Sequence, residues 1–247
     1  MTALFGFPAF LSFSDLSAYH EPHDKREFRM STAIAHTSIF TGLDWATIRA
    51  HYEHRVAVSN RLRKLYGSGV VHDFVWLALG IADDAGNYSS AEHHLAPRIL
   101  GNVNAERRIF DLAGKFLALK DAKSVPDLIQ HASLNYLQIG VGSELSCMVN
   151  PDVCWVCNVR TIWTHIAWEH GTGKAEEALK LFRAGDADSE MAYTSWAEAY
   201  HPLLLDSLID VAKDADTFCK KEGVSPGTVT FLWADAIAGF AYGKYHD

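Results

Sequence analysis

The chain has 247 residues, 49% of them hydrophobic, enough to bury a core without covalent staples. Its formal net charge is −8, which excludes a strong, non-specific nucleic-acid binder; any contact with DNA has to be local. Four cysteines are too few for a disulfide framework and suit a reduced, cytoplasmic protein.

In chain order, "MTALFGFPAFLSFSDL" is apolar but lacks a basic leader, so it is expected to pack and not to act as a signal peptide. No apolar run approaches the ~18 residues of a membrane span, and no membrane partner is expected. The stretch "LDWATIRAHYEHRVAVSNRLRKLYG" is predicted as a helix, with Asp44 as N-cap and Gly67 as its stop. Its apolar stripe is Trp45, Ile48, Tyr52, Val56, Leu62 and Leu65. A short buried helix follows in "HDFVWLALGIADDAG", where Asp73 is a candidate cap. "GNYSSAEHHLAPRILGNVN" is the longest stretch without helical period. "NAERRIFDLAGKFLALKDA" is amphipathic, and "SVPDLIQHASLNYLQ" offers Ser124 as cap and Pro126 in the first turn. Helices are also predicted in "GKAEEALKLFRAG", "SEMAYTSWAEAYH", "PLLLDSLIDVAKDADTFCKKEG" and "SPGTVTFLWADAIAGFAYG", the last capped by Ser225 with Pro226 at its first position. "VCWVC" is the best strand candidate. The expected fold is all-α, with about nine or ten helices in a single domain over 1–247.

The most informative stretch is "LIQHASLNYLQIGVGSELSCMVNPDVCWVCNVRTIWTHIAW". A helix runs into Ile139-Gly140-Val141-Gly142, and a second short helix follows. Glycines there permit a tight turn and a close ligand approach. Amides at the start of the second helix form an anion site. Asn150-Pro151-Asp152 then turns the chain into an apolar segment, and Asn158 can cap the helix beyond it.

Over about residues 124–170 this order resembles the helix-hairpin-helix DNA glycosylase superfamily, with the hairpin element at about 124–150. The resemblance implies a glycosylase-like helical fold of two intimate lobes. It also implies that Gly140, Val141, Gly142 and Ser143 hold DNA phosphate. The departures redirect the chemistry. Where that superfamily keeps a catalytic aspartate, this chain has Cys157 or Asn158, depending on register. Where its bifunctional members keep a lysine, this chain has Glu144. An amide serves neither as general base nor as charge stabiliser for base excision. The chain is most similar to the phage thymine-hypermodification clade, the α-glutamyl/putrescinyl thymine pyrophosphorylase-like transferases. These are implicated in joining an amine or amino acid to an activated 5-hydroxymethyluracil in DNA. That resemblance implies double-stranded DNA with a modified thymine as partner and a free amino acid or amine as co-substrate. It also implies a base-flipping pocket with Asn158, Arg160, Cys157 and Glu144 in it, Arg160 beside the departing phosphate. No cofactor is implied. The alternatives are a hydrolytic glycosylase that uses a different acidic residue, and a non-catalytic DNA-binding module.

Other constellations are weaker. Cys147, Cys154 and Cys157 lack a fourth ligand at a suitable spacing, so core packing is expected and no metal. The basic stretch of Arg49, His51, His54, Arg55, Arg61, Arg63 and Lys64 is a candidate DNA-backbone contact, although it spreads over several helix faces. His20 and His23 lie in a polar segment. His72-Asp73 is a candidate dyad, and Glu92, His93, His94 and Arg98 are pocket candidates. "GTGK" at 171–174 lacks the rest of a phosphate-loop pattern and is read as a turn between helices. Trp155, Trp163, Trp168, Trp196 and Trp233 are assigned mostly to the core, with one of them a candidate to stack on a flipped base.

Overall fold

Every regular element among the described residues, which in the computed structural model are 39–184 and 197–246, is a helix. The expectations for the apolar N-terminus, His20, His23, most of "SEMAYTSWAEAYH" and Trp196 lie outside these residues. The all-α expectation holds, with eleven α-helices and two 3-10 turns among the described residues.

Helix α1 (Trp45–Gly67) starts where the sequence says it should. The Asp44 carboxylate accepts the Thr47 N–H at 3.0 Å and the Thr47 hydroxyl at 2.7 Å, a side-chain cap for an otherwise orphaned donor. Its buried stripe is Trp45, Ile48, Tyr52, Arg55, Ser59 and Leu62, joined by Val58. Val56 and Leu65 are only partly buried, so two polar residues occupy stripe positions that the hydrophobic pattern assigns elsewhere. Helix α2 (Val71–Ala78) begins without a side-chain cap; Asp73 does not cap it. The long aperiodic stretch becomes three short turns, a 3-10 turn (Asp84–Gly86), α3 (Tyr88–Glu92) and α4 (Ala96–Leu100). Asp83 and Asn87 side chains cap the first two, which is why polar residues dominate there. Then come α5 (Ala105–Leu117), α6 (Val125–Ala132), α7 (Ile139–Val149), α8 (Val159–His170), α9 (Thr172–Ala184), α10 (Leu204–Lys221) and α11 (Thr230–His246).

Two expectations fail because residues distant in sequence take up the backbone groups. "VCWVC" forms no strand among the described residues; its Cys157 N–H donates to the Ser143 hydroxyl at 2.8 Å, and its Cys154 N–H to the Asn150 carbonyl. The last helix starts at Thr230, not at Ser225-Pro226. The Tyr52 hydroxyl of α1 accepts the N–H groups of Thr228 and Val229, both at 2.9 Å. Arg49 donates to the carbonyls of Ser225 and Pro226. The backbone before α11 is thus satisfied by α1 and has no need of a helical turn.

Helices α2, α5, α6 and α7 pack in one group, and α8 to α11 in another, while α1 touches both α7 and α11. One hydrophobic cluster runs through all of them. All eleven residues of α7 are buried, Glu144 and Ser143 among them. Such a helix lies in the middle of its fold, and its polar side chains need internal partners.

Glycine matters most where backbones touch. A Cβ on Gly86 would stand 1.7 Å from the Leu77 carbonyl oxygen, and backbone has no rotamer with which to yield. Gly86→Ala is therefore expected to cost about 3 kcal/mol or more, at the upper end of overpacking effects. Urea denaturation reads the loss.

Candidate active site

Three charged side chains meet in the middle of the fold. Arg55 of α1 is fully buried. Its Nη1 donates to Glu144 Oε1 of α7 at 2.7 Å and to the Ala85 carbonyl at 2.9 Å. Its Nη2 donates to Asp235 Oδ2 of α11 at 2.9 Å. Burial works against its charge, but the two carboxylates outweigh that and hold its pKa above the usual arginine value. Glu144 is further held by the backbone N–H groups of Tyr88 and Ser89, each at 2.9 Å, at the first turn of α3. Both oxygens of Glu144 are therefore occupied, and its role is to fix Arg55 and α3.

Asp235 is different. Only its Oδ2 has a protein hydrogen bond among the described residues, and its side chain is 11% exposed. Two carboxylates share one arginine, and Asp235 has none of the backbone N–H donors that hold Glu144. Burial is the main cause, with the Glu144 charge adding and Arg55 and Arg160 opposing; together they push the Asp235 pKa up to about 6. A carboxylate in that range is suited to general acid-base work near neutral pH.

Asp235 opens on a cleft of about 550 Å³, within the usual range for small-ligand sites. His51, Tyr88, Glu92, Glu144, Asn158, Arg160, Phe240, Tyr242 and Lys244 also line it. His51 stacks on Tyr88 with centroids 5.1 Å apart and planes 19° apart, and meets the Phe240 ring edge-on. Burial, then the Arg55 charge, brings the His51 pKa down to about 4, so at neutral pH its ring is uncharged and can face another planar ring. Arg160 sits in the first turn of α8 and pairs with Glu92 of α3 at 2.5 Å. Asn158 is 6% exposed. Its Oδ1 accepts the N–H groups of Arg160 and Thr161, and its own N–H donates to the Thr161 hydroxyl, completing a reciprocal cap. With Oδ1 committed, the Nδ2 donor of Asn158 is the group left for a ligand.

The structure thus brings Glu144, Asn158 and Arg160 into one cleft. Cys157 does not line it. Its side chain is fully buried, its thiol donates to the Ala197 carbonyl at 3.2 Å, and burial drives its pKa well up, so it is neither a nucleophile nor a base. Cys147 and Cys154 are equally buried, and burial pushes Cys154 up to about 12. Among the described residues no group of three or more His, Cys, Asp or Glu is placed to hold a metal.

Gly140, Val141, Gly142 and Ser143 lie inside the first turns of α7, all buried. The turn between α6 and α7 is made earlier, at residues 133–138, by Ser133 and Tyr136 in left-handed conformation. Ser143 clamps the Cys157 backbone. The Gly142 N–H is taken by the Gln138 carbonyl at 2.7 Å, and a Cβ there would lie 2.6 Å from Ile129. Gly142 serves helix-helix approach, and the burial of all four residues leaves no face of this segment open to a phosphate. Gly142→Ala is expected to cost about 1–3 kcal/mol by overpacking, and the double variant with Ile129→Ala to lose less than the sum of the two single losses, all read by urea denaturation.

The remaining candidates disperse. Arg49 and Arg55 face inward, and His54 pairs with Asp83 at 2.8 Å, so the basic stretch of α1 is not one DNA-facing surface. His72 pairs with Glu106, not Asp73. Of the loop group only Glu92 reaches the cleft; His93 and His94 are exposed, and Arg98 stacks on Tyr136. Gly171 ends α8 with φ 87°, and the next helix begins at Thr172, so the turn expected at "GTGK" is Gly171 alone, and Thr172, Gly173 and Lys174 open α9. Trp155, Trp163, Trp168 and Trp233 are core.

Asp235 was absent from the candidates, although the signal existed. It is the lone acidic residue in "TFLWADAIAGFAYG", and aspartate is almost never buried without a partner or a task. No family model, curated protein or solved structure matches the chain.

Proposed function

We propose that the chain is a DNA base-modifying transferase that joins an amino acid or amine to an activated, phosphorylated 5-hydroxymethyluracil, leaving the glycosidic bond intact. The observation that carries this reading is Asp235. It is a carboxylate with one free oxygen and a pKa near 6, in the same cleft as Asn158 and Arg160. The flipped base lies against the His51–Tyr88 stack, and the Asn158 Nδ2 group donates to a carbonyl of the base. The amine nitrogen attacks the exocyclic methylene carbon. The carbon–oxygen bond to phosphate breaks and its electron pair leaves with the phosphate, opposite the Arg160 guanidinium. Asp235 takes the proton that the amine sheds. The DNA phosphates are held elsewhere than at residues 140–143, whose burial leaves no surface for them.

Asp235 also supports a second reading, a hydrolytic glycosylase in which it replaces the missing aspartate across the cleft. One experiment separates the two. Duplex DNA bearing the phosphorylated base is incubated with the protein and a panel of amino acids and polyamines, followed by nucleoside mass analysis and an abasic-site assay. A new amine-bearing nucleoside supports transfer, and abasic sites support excision. Neither product with any amine would overturn both.

A further inference from the structure

We infer that Glu92 is a displaceable counter-ion: in the free protein its carboxylate occupies the anion position on Arg160, and a phosphate-bearing ligand enters by taking that place. The inference deepens the reading above and rests on it only for which phosphate compound is the natural ligand.

The geometry separates two kinds of ion pair in one cleft. The Arg55 pairs are sealed, with Arg55 at 0% and Glu144 at 2% side-chain exposure; no ligand can compete for them. The Arg160–Glu92 pair is open, with side chains 27% and 53% exposed. An exposed pair is held by a modest Coulomb attraction, offset by the entropy of ordering two side chains, so a better anion can displace its carboxylate. A phosphate is a better anion for a guanidinium, with more charge and two oxygens in register with the fork.

Glu92 is placed to retreat. It is the last residue of α3, whose first turn is anchored by Glu144. The anchor keeps α3 in place while the Glu92 side chain swings into solvent. The Arg160 backbone amide cannot take the role, because it already donates to Asn158 Oδ1. Without Glu92 the lone Arg160 would attract any anion to a cleft that also presents Asp235. With it, only a ligand that outcompetes a tethered carboxylate gains entry. Glu92 therefore sets selectivity for phosphate over monocarboxylates.

The test uses inorganic phosphate, pyrophosphate and acetate, titrated calorimetrically into the full chain without DNA. Glu92→Gln should bind pyrophosphate about fivefold tighter than the unaltered protein, the factor matching the loss of one exposed ion pair, and should gain measurable acetate binding. Arg160→Gln should lose pyrophosphate binding. Lys244→Gln, at the same cleft, should keep it. The inference is overturned if Glu92→Gln binds no tighter, or if Lys244→Gln abolishes binding while Arg160→Gln retains it. A purely structural Glu92–Arg160 pair would lower the melting temperature of both variants and tighten neither. Because no DNA is present, these outcomes stand apart from the nucleoside analysis: anion binding that follows this pattern with no product on any DNA would sink the transferase reading and leave the Glu92 inference intact.

Discussion

Arg55→Met is expected to destabilise the fold by about 3–5 kcal/mol at pH 7, the cost of leaving buried carboxylates without their cation. Glu144 and Asp235 would both remain in the core at 2% and 11% exposure. Glu144 would keep two backbone donors, and Asp235 would lose its one protein hydrogen bond. The deficit should shrink as pH falls and the carboxylates take up protons. Removing all three charges together, with Glu144→Leu and Asp235→Leu added, should cost less than Arg55→Met alone, because the penalty lies in the unpaired charge and not in the missing contact. Urea denaturation at pH 5 and pH 7.5 gives both comparisons. Additive losses would mean that the three side chains do not act as one unit.

The second large effect concerns turnover. Asp235→Asn keeps an acceptor for Arg55 and nearly the same volume, but removes the base. The rate of the proposed transfer should fall about 10²- to 10⁴-fold. In the unaltered protein the rate should rise with pH through about 6 as Asp235 ionises; the variant should lose that limb. Stability should move the other way. The folded pKa of Asp235 lies above the ordinary aspartate value of 3.8, so the protonated form suits the fold. The stability it confers is complete below about pH 3.8 and is lost as pH rises through about 6. Asparagine, always neutral, escapes that loss. Asp235→Asn should therefore melt higher than the unaltered protein at pH 8, with the gain vanishing toward pH 4. A gain in stability with a loss of turnover is the signature of a strained functional group. A lower melting temperature at pH 8 would assign Asp235 to structure alone.

Much of the fold was legible in the sequence because helices announce their ends. Asp44 and Asn158 cap where the pattern places them, and Gly171 breaks the chain where two helices meet. The failures share a cause, which is contact between residues distant in sequence. Ser225 looks like a cap, yet Tyr52, 176 positions away from Thr228, satisfies that backbone first. The Ile139–Gly142 pattern looks like a turn, yet Gly142 admits Ile129 of a neighbouring helix. Half of the cleft was also legible. Asn158 and Arg160 follow from the motif order, and Glu144 from its position beside the hairpin. Arg55 was hidden because it occupies a stripe position of α1 that an apolar residue would normally fill. Asp235 was hidden because nothing local shows that α11 faces α1 and α7. A lone acidic residue inside an apolar helix is the signal in both α7 and α11, and it becomes readable once each is considered as a partner of Arg55.

The buried charge cluster also has a bearing on how the chain folds in time. Arg55 reaches Glu144 across 89 positions and Asp235 across 180. Closing the shorter loop yields a neutral one-to-one pair that can be buried with α1 and α7. Docking α11 adds an unbalanced negative charge to a core already formed, and over the longer loop. The order of events is thereby biased, with α11 arriving after the barrier. Conservative core substitutions in α11, such as Ile237→Val, should then quicken unfolding while leaving refolding rates nearly unchanged, whereas Ile48→Val in α1 should slow refolding. Asp235, the proposed base, would be among the last residues to reach its place.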